Sequence, residues 1–278
     1  MTQTILITGT SSGFGEATAN YFARQGWNVV ATMRNPEASK LTSEGNVLVT
    51  RLDVQDRASI EDAIANGIAR FGRIDALVNN AGYGLFSIFE RIPREAIQQQ
   101  FDVNVFSLMD VTRAILPHFR ASRAGTIVNI TSGAGIVGFP FASIYSASKF
   151  AVEGFSEALS YELGSLGIKV KIIEPGGAPQ TNFMARTGAE SANGQPPHQD
   201  YAPFLDHVGQ MYGNMAGGSD EDAIEKVVAA IYAASTDQSD RLRYTPTNDI
   251  QPLVNARRGS SEDRYNALVQ GIFAMKKA

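Results

Sequence analysis

The sequence predicts an α/β protein: one doubly wound parallel sheet of about seven strands with helices on both faces. Three observations carry this. Short runs that are apolar throughout recur along the first 174 residues, helical patterns separate them, and no linker or internal repeat interrupts the alternation. A strand that is apolar on both sides has no solvated face, so it belongs in a parallel sheet covered twice. Right-handed crossovers then wind helices onto both faces.

The elements follow in order. Thr4, Ile5, Leu6, Ile7 and Thr8 read as the first buried strand. Residues 16–24 read as a helix whose apolar face holds Ala17, Ala19, Tyr21, Phe22 and Ala23. Val29 to Thr32 form a second strand, and Val47, Leu48 and Val49 begin a third. Ile60, Ala63, Ile64 and Ile68 stand at helical spacing within 60–71. Ala76, Leu77 and Val78 form a fourth strand. A long helical region covers about 93–119, readable as two helices. Residues 126–130 make a fifth strand, 145–165 a helix, and 169–173 a sixth strand.

The stretch 176–219 differs, with Pro179, Pro196, Pro197 and Pro203, many glycines and no sustained period. A long loop of this kind is a lid, a binding loop or a disordered segment. Residues 220–234 resume as a helix, and 241–245 offer a last strand. Residues 261–275 read as an amphipathic helix capped by Ser260 or Ser261, with Tyr265, Leu268, Val269, Ile272 and Phe273 on one face. The expected organisation is a single domain over 1–278, with a substrate loop at about 176–219.

Bulk properties narrow the function. With 44% hydrophobic and 19% charged residues, the chain can build a sizeable core. A net charge of −4 gives no general attraction for nucleic acid or anionic membrane, and the basic residues form no stripe. The absence of cysteine excludes disulfides and thiolate chemistry and fits a reducing compartment. No signal peptide is visible and no apolar run spans a bilayer, so a cytoplasmic location is expected. His118, His198 and His207 have no metal spacing, and no nucleophile elbow occurs.

The first strand runs into Thr8, Gly9, Thr10, Ser11, Ser12, Gly13, Phe14 and Gly15, then into a helix. Glycines let backbone approach a pyrophosphate, and the helix N-terminus offers N–H groups and a positive dipole end. The spacing is G-x-x-x-G-x-G rather than the general G-x-G-x-x-G. By itself it also describes a tight turn that binds nothing. After the second strand, Met33 and Arg34 stand where an NAD site places an acid. Arg34 can pair with a 2′-phosphate, which favours NADP(H); the plain alternative is a solvated charge. Asp53, followed by Val54, could accept from the adenine amino group or could serve as a turn or cap residue.

At Tyr145-Ser-Ala-Ser-Lys149 the pieces join. The chain resembles the short-chain dehydrogenase/reductase family in its single-domain branch. The glycine turn, Asn79-Asn-Ala-Gly82, Asn104, Ser132, the Tyr-x-x-x-Lys pair and Pro175-Gly176 occur in the family's order. Ser132 lies thirteen residues before Tyr145. The resemblance covers about residues 4–182 and implies a Rossmann-like fold. It also implies a tetrad of Asn104, Ser132, Tyr145 and Lys149, with Asn104 positioning a water that links Lys149 to solvent. Asn80, Ala81 and Gly82 would line the cofactor, and Pro175 and Gly176 would lie against the nicotinamide. Thr181 would contact the nicotinamide amide, although one more residue than usual separates it from Pro175-Gly176. A homodimer or homotetramer is implied through helices 101–119 and 144–166.

The residue types suit carbonyl chemistry. A tyrosine titrates near ~10, and a cation nearby favours its phenolate. Lys149 is one helical turn beyond Tyr145 and, together with the positive charge of an oxidised nicotinamide, is expected to bring its pKa toward the working range. Ser132 could hold the substrate oxygen. Each residue singly has a bland reading: a satisfied helix tyrosine, a turn cap, a surface lysine paired with Glu153, a locally bonded asparagine.

The expected function is hydride transfer between NADP(H) and a carbonyl or secondary alcohol. Phe139, Phe141, Phe183, Met184, Tyr201, Phe204, Leu205, Met211 and Tyr212 would give an apolar pocket, or else pack the loop down. Two other functions share these features: a cofactor-sensing regulator without turnover, and a same-fold epimerase or dehydratase.

Overall fold

The computed structural model describes residues 2–178, 181, 197–216 and 220–275. Seven parallel strands form one sheet: β1 (Thr4–Thr8), β2 (Asn28–Met33), β3 (Val47–Arg51), β4 (Ala76–Asn79), β5 (Gly125–Ile130), β6 (Ile168–Ile173) and β7 (Arg243–Tyr244). Their order is β3-β2-β1-β4-β5-β6-β7. The direction of winding reverses between β1 and β4, and in such sheets ligands bind beyond the carboxyl ends of the strands at that reversal.

The helices are α1 (Gly13–Arg24), α2 (Arg57–Phe71), α3 (Arg94–Phe101), α4 (Ser107–Ser122), α5 (Ser143–Gly164), α6 (Ala202–Ala216), α7 (Ala223–Thr236), α8 (Gln251–Gly259) and α9 (Glu262–Phe273). Side chains alternate across the sheet. Ile5 and Ile7 pack with Phe22 of α1 and with Val227 and Ile231 of α7. Leu6, between them, packs with Ile60 of α2, Ile115 and Phe119 of α4, and Leu159 of α5. Phe22, Phe119 and Leu6 are fully buried. Each such side chain contributes about 1.5–3 kcal/mol by leaving water.

The long helical region at 93–119 is two helices joined by a π-helical turn, Asp102–Phe106. An extra residue per turn there interrupts the α-helical register. Asn104 sits in that turn and is buried. Asp56 caps α2 by accepting from Ser59 N at 3.3 Å, and Ser261 caps α9 by accepting from Arg264 N at 3.4 Å.

Two elements differ from the sequence reading. The stretch 176–219 contains α6, with Phe204, Leu205, Val208, Met211, Tyr212 and Met215 recurring every three or four residues. Pro203, Gly209 and Gly213 obscured that period. The segment after β7 contains α8, which carries only Leu253 and Val254 as buried apolar residues and so has little periodic signal. Those two pack against Ile136 and Val137. Pro179, Pro196, Phe183, Met184, Lys276 and Lys277 lie outside the described residues.

Candidate active site

The turn after β1 opens a cavity of about 550 Å³ along the carboxyl edge of the sheet. Gly9, Ser11, Ser12, Gly13 and Phe14 line it. Ser12 occupies the N-cap of α1, but its side chain caps no N–H. The first N–H groups of α1 are thus not taken up by the cap side chain, which suits an anion at the helix N-terminus. Gly15 does not line the cavity, contrary to its expected contact with the cofactor. It is buried beneath the turn, where a Cβ would fall 2.3 Å from the Gly9 oxygen. Its part is to let α1 close on β1.

The segment after β4 is tied to this turn. Asn80 Nδ2 donates to the oxygens of Thr8 and Gly9 at 2.9 and 3.1 Å. The Asn80 and Ala81 N–H groups donate to Thr8 Oγ1 at 3.0 and 3.1 Å. Asn80, Ala81 and Gly82 all line the cavity. Thr8, which opens the glycine motif, therefore holds the two strand ends in register. Asn79 points away, donating to Thr112 Oγ1 and Asn129 Oδ1 at 3.0 and 2.9 Å.

Toward the β3 edge, Arg34, Asp53 and Val54 line the same cavity. Arg34 is exposed, whereas Met33 is 3% exposed and also borders the cavity. Asp53 Oδ1 accepts from Gln55 N at 3.1 Å, so one of its oxygens serves the turn. Toward the β6 edge, Pro175, Gly176 and Thr181 line it. Thr181 Oγ1 donates to Ala178 O at 2.8 Å, and a Cβ on Gly13 would lie 3.6 Å from the Thr181 methyl. Thr181 thus stands beside the glycine turn.

Ser132, Tyr145 and Lys149 meet in this cavity. β5 ends at Ile130 and delivers Ser132, whose hydroxyl accepts from Ala134 N at 3.1 Å. Tyr145 and Lys149 share one face of α5, with Lys149 Nζ 5.8 Å from the Tyr145 ring centre. Lys149 is buried, not a surface lysine, and its Nζ donates to Ile130 O at 2.9 Å. Asn104 stands behind this group and does not line the cavity. Its Nδ2 donates to Tyr83 O at 2.9 Å and Ser148 Oγ at 3.2 Å, and its Oδ1 accepts from Tyr83 N at 3.1 Å. Its side chain therefore fixes the strand-end loop and α5.

In the protein itself, burial sets the direction for both Tyr145 and Lys149. Burial pushes the Tyr145 phenol up to about 12, opposed by its hydrogen bond with Ser132. Burial pulls the Lys149 ammonium down to about 8, opposed by the Glu153 carboxylate. Desolvation wins over the short helical spacing because both groups sit in low dielectric. A neutral phenol results, which is a competent proton donor.

A family model described as short chain dehydrogenase matches residues 3–192. The chain belongs to the short-chain dehydrogenase/reductase family. It is an oxidoreductase of that family. It is 40% identical over 200 residues to a 3-ketodihydrosphingosine reductase of Bacteroides thetaiotaomicron, covering 72% of each chain. It is 34% identical over 263 residues to retinol dehydrogenase 8 of Bos taurus, covering 88% of this chain and 83% of that one. A short-chain dehydrogenase from Streptomyces avermitilis superposes with a TM-score of 0.76 at 30% identity, over 98% of this chain and 96% of that one. Solved structures sharing the fold hold NADP in one case and NAD in another.

In this oxidoreductase the expected apolar residues divide. Phe139 and Tyr212 line the cavity, joined by Phe86, Tyr83 and Met215. Tyr201 instead donates to Glu90 Oε2 at 2.7 Å, and Met211 is buried within the α6 packing. Phe141, Phe204 and Leu205 do not reach the cavity. The Phe86 ring lies 5.5 Å from that of Tyr145 and 6.3 Å from that of Tyr212. Tyr212 is anchored by donating to Pro140 O at 2.9 Å. Phe86 carries no motif, and only contacts distant in sequence reveal it.

Beneath Lys149 lies a charge network that sequence reasoning also missed. Glu153 accepts from Thr131 Oγ1 at 2.6 Å and from Arg243 Nε at 3.1 Å. Arg243 also pairs with Glu157, and Arg258 clamps Glu174 with two hydrogen bonds. Burial raises the Glu153 carboxyl above its usual range, with Arg243 among the groups pulling it back. The network ties β7 and α8 to the strand ends that carry Ser132 and Pro175. No group of residues able to hold a metal occurs among the described residues. No helix among them is long and apolar enough to cross a membrane.

Proposed function

We propose that the protein transfers a hydride between NADP(H) and a carbonyl or secondary alcohol, with Asn104, Ser132, Tyr145 and Lys149 as the working residues. The observation that carries this is the convergence of Ser132, Tyr145 and Lys149 on the cavity that the glycine turn opens. A bound nicotinamide supplies or accepts the hydride. In reduction, Tyr145 gives its phenolic proton to the substrate oxygen as that oxygen gains charge. Ser132 donates a hydrogen bond to the same oxygen. The Lys149 ammonium favours the phenolate left on Tyr145. Asn104 positions the Tyr83 backbone and α5 beneath them. Residues 9–14 would hold the pyrophosphate, Asp53 and Val54 the adenine side, and Asn80 to Gly82 the intervening wall.

Arg34 beside the buried Met33 supports a preference for the 2′-phosphate over a free ribose hydroxyl. The aromatic wall of Phe86, Phe139 and Tyr212 supports a bulky apolar substrate. The names of the sphingoid-ketone reductase and retinol dehydrogenase relatives agree with that class. A panel of ketones, aldehydes and alcohols with NADPH and NADP+, followed at the nicotinamide absorbance, tests the reading. Bulky aryl or long-chain ketones should be turned over best. Turnover of small hydrophilic aldehydes alone contradicts the apolar wall.

The pH profile has a definite sign. Lys149 works as the ammonium and titrates at about 8, so its charge is present below that value and lost above it. For reduction, kcat/KM should be level on the acid side and decline about tenfold per pH unit well above it. Lys149→Arg, which keeps its charge to higher pH, should move the decline upward. An unmoved profile assigns it to another group.

Phe106, which ends the π-helical turn before α4, and Phe150 and Tyr161 of α5 are 49%, 43% and 75% exposed. Pairing of copies through these helices would cover them. Sedimentation equilibrium of Phe150→Glu should give the monomer mass where the wild type gives a dimer or tetramer. An unchanged mass places the contact elsewhere.

A further inference from the structure

The segment after β7 brings a carboxylate to the cavity that the reading above does not use. Thr247 Oγ1 accepts from Gly176 N at 2.8 Å, and Asp249 Oδ2 accepts from Gly177 N at 2.7 Å. The carboxylate approaches so closely that a Cβ on Gly176 would lie 2.2 Å from Asp249 Oδ1. That Oδ1 is buried and has no hydrogen-bond partner among the described residues. Asp249 itself lines the cavity, beside Gly176 and Gly177.

Its place along the cavity is the reacting end. Ile250, the next residue, presses on Gly133, where a Cβ would fall 2.3 Å from Ile250 Cγ1. Gly133 N in turn donates to Pro175 O at 2.7 Å. Asp249 therefore shares a wall with Ser132 and with the Pro175–Gly177 backbone. Thr181, by contrast, stands at the glycine turn with its hydroxyl given to Ala178 O.

A buried carboxylate oxygen without a donor is costly, and it can only accept. We propose that Asp249 accepts a hydrogen bond from the carboxamide NH₂ of the bound nicotinamide and so selects the amide form of the cofactor. This rests on the proposed function, in which that wall faces the nicotinamide. A carboxylate in place of the carboxamide would meet like charge. The oxidised ring, being cationic, would be attracted to Asp249 more than the reduced ring.

The test is direct titration of four ligands into the full-length protein without substrate: NADP+, NADPH, 2′-phospho-ADP-ribose, and the analogue of NADP+ in which nicotinic acid replaces nicotinamide. Asp249→Asn keeps an oxygen for Gly177 N, and Asp249→Ala removes it. Asp249→Asn should weaken NADP+ by about tenfold or more, and NADPH by less, because a charged acceptor is lost. It should leave 2′-phospho-ADP-ribose, which lacks the ring, within about twofold. Wild type should disfavour the acid analogue against NADP+, and Asp249→Asn should narrow that gap. Equal losses for all four ligands would make Asp249 a structural clamp and overturn the inference. So would an acid-to-amide ratio unchanged by substitution. Failure of 2′-phospho-ADP-ribose to bind wild type would instead remove the dinucleotide reading beneath it.

Discussion

Replacing Tyr145 with phenylalanine is expected to lower kcat for ketone reduction by about 10²- to 10⁴-fold, the usual range for a positioned acid. The phenyl ring keeps its packing on Phe86, whose ring centre is 5.5 Å away, so the wall of the cavity should stand. Only the hydroxyl and its bond with Ser132 are removed. Dissociation constants for NADPH should therefore change by no more than about twofold, separating a chemical loss from a binding loss. The effect is large because the Tyr145 phenol, held up at about 12, remains protonated and ready to donate. A variant that keeps a tenth or more of the rate (about 1.4 kcal/mol or less in barrier) would identify a different acid.

Replacing Arg34 with alanine should weaken NADPH by about 10- to 100-fold, as expected for a guanidinium–phosphate pair. NADH, which has no 2′-phosphate, should be nearly unaffected. Arg34 is exposed at the mouth of the cavity, so salt should reduce the effect. Isothermal titration with both nucleotides at low and moderate salt checks this. Equal losses for NADPH and NADH would assign Arg34 to the general stability of the turn and withdraw the NADP(H) preference.

Much of this architecture was legible because its signals are local. Ile5, Leu6 and Ile7 declare a strand buried on both faces, and Tyr145 and Lys149 declare a shared helix face through their spacing. The glycines of residues 9–15 declare a turn, although not which of them faces the cavity: Gly15 is spent on packing against Gly9. What stayed hidden arises from contacts far apart in sequence. Asp249 meets Gly177 across 72 positions and Arg243 meets Glu153 across 90. Phe86 and Tyr212 join only once α6 folds back over the cavity. The burial of Tyr145 was hidden for a related reason. Helical spacing reports the nearby lysine, but burial is set by everything packed around it, and here burial dominates.

Hydride should reach substrate carbon from the nicotinamide while a proton reaches its oxygen from Tyr145. Labelling tests it most directly. With NADPH deuterated at the transferable ring position, a bulky ketone reduced in ordinary water should yield an alcohol carrying one deuterium on the carbinol carbon. With unlabelled NADPH in deuterium oxide, that carbon should carry none. Solvent deuterium on carbon, or product formed without cofactor oxidation, would contradict the claim.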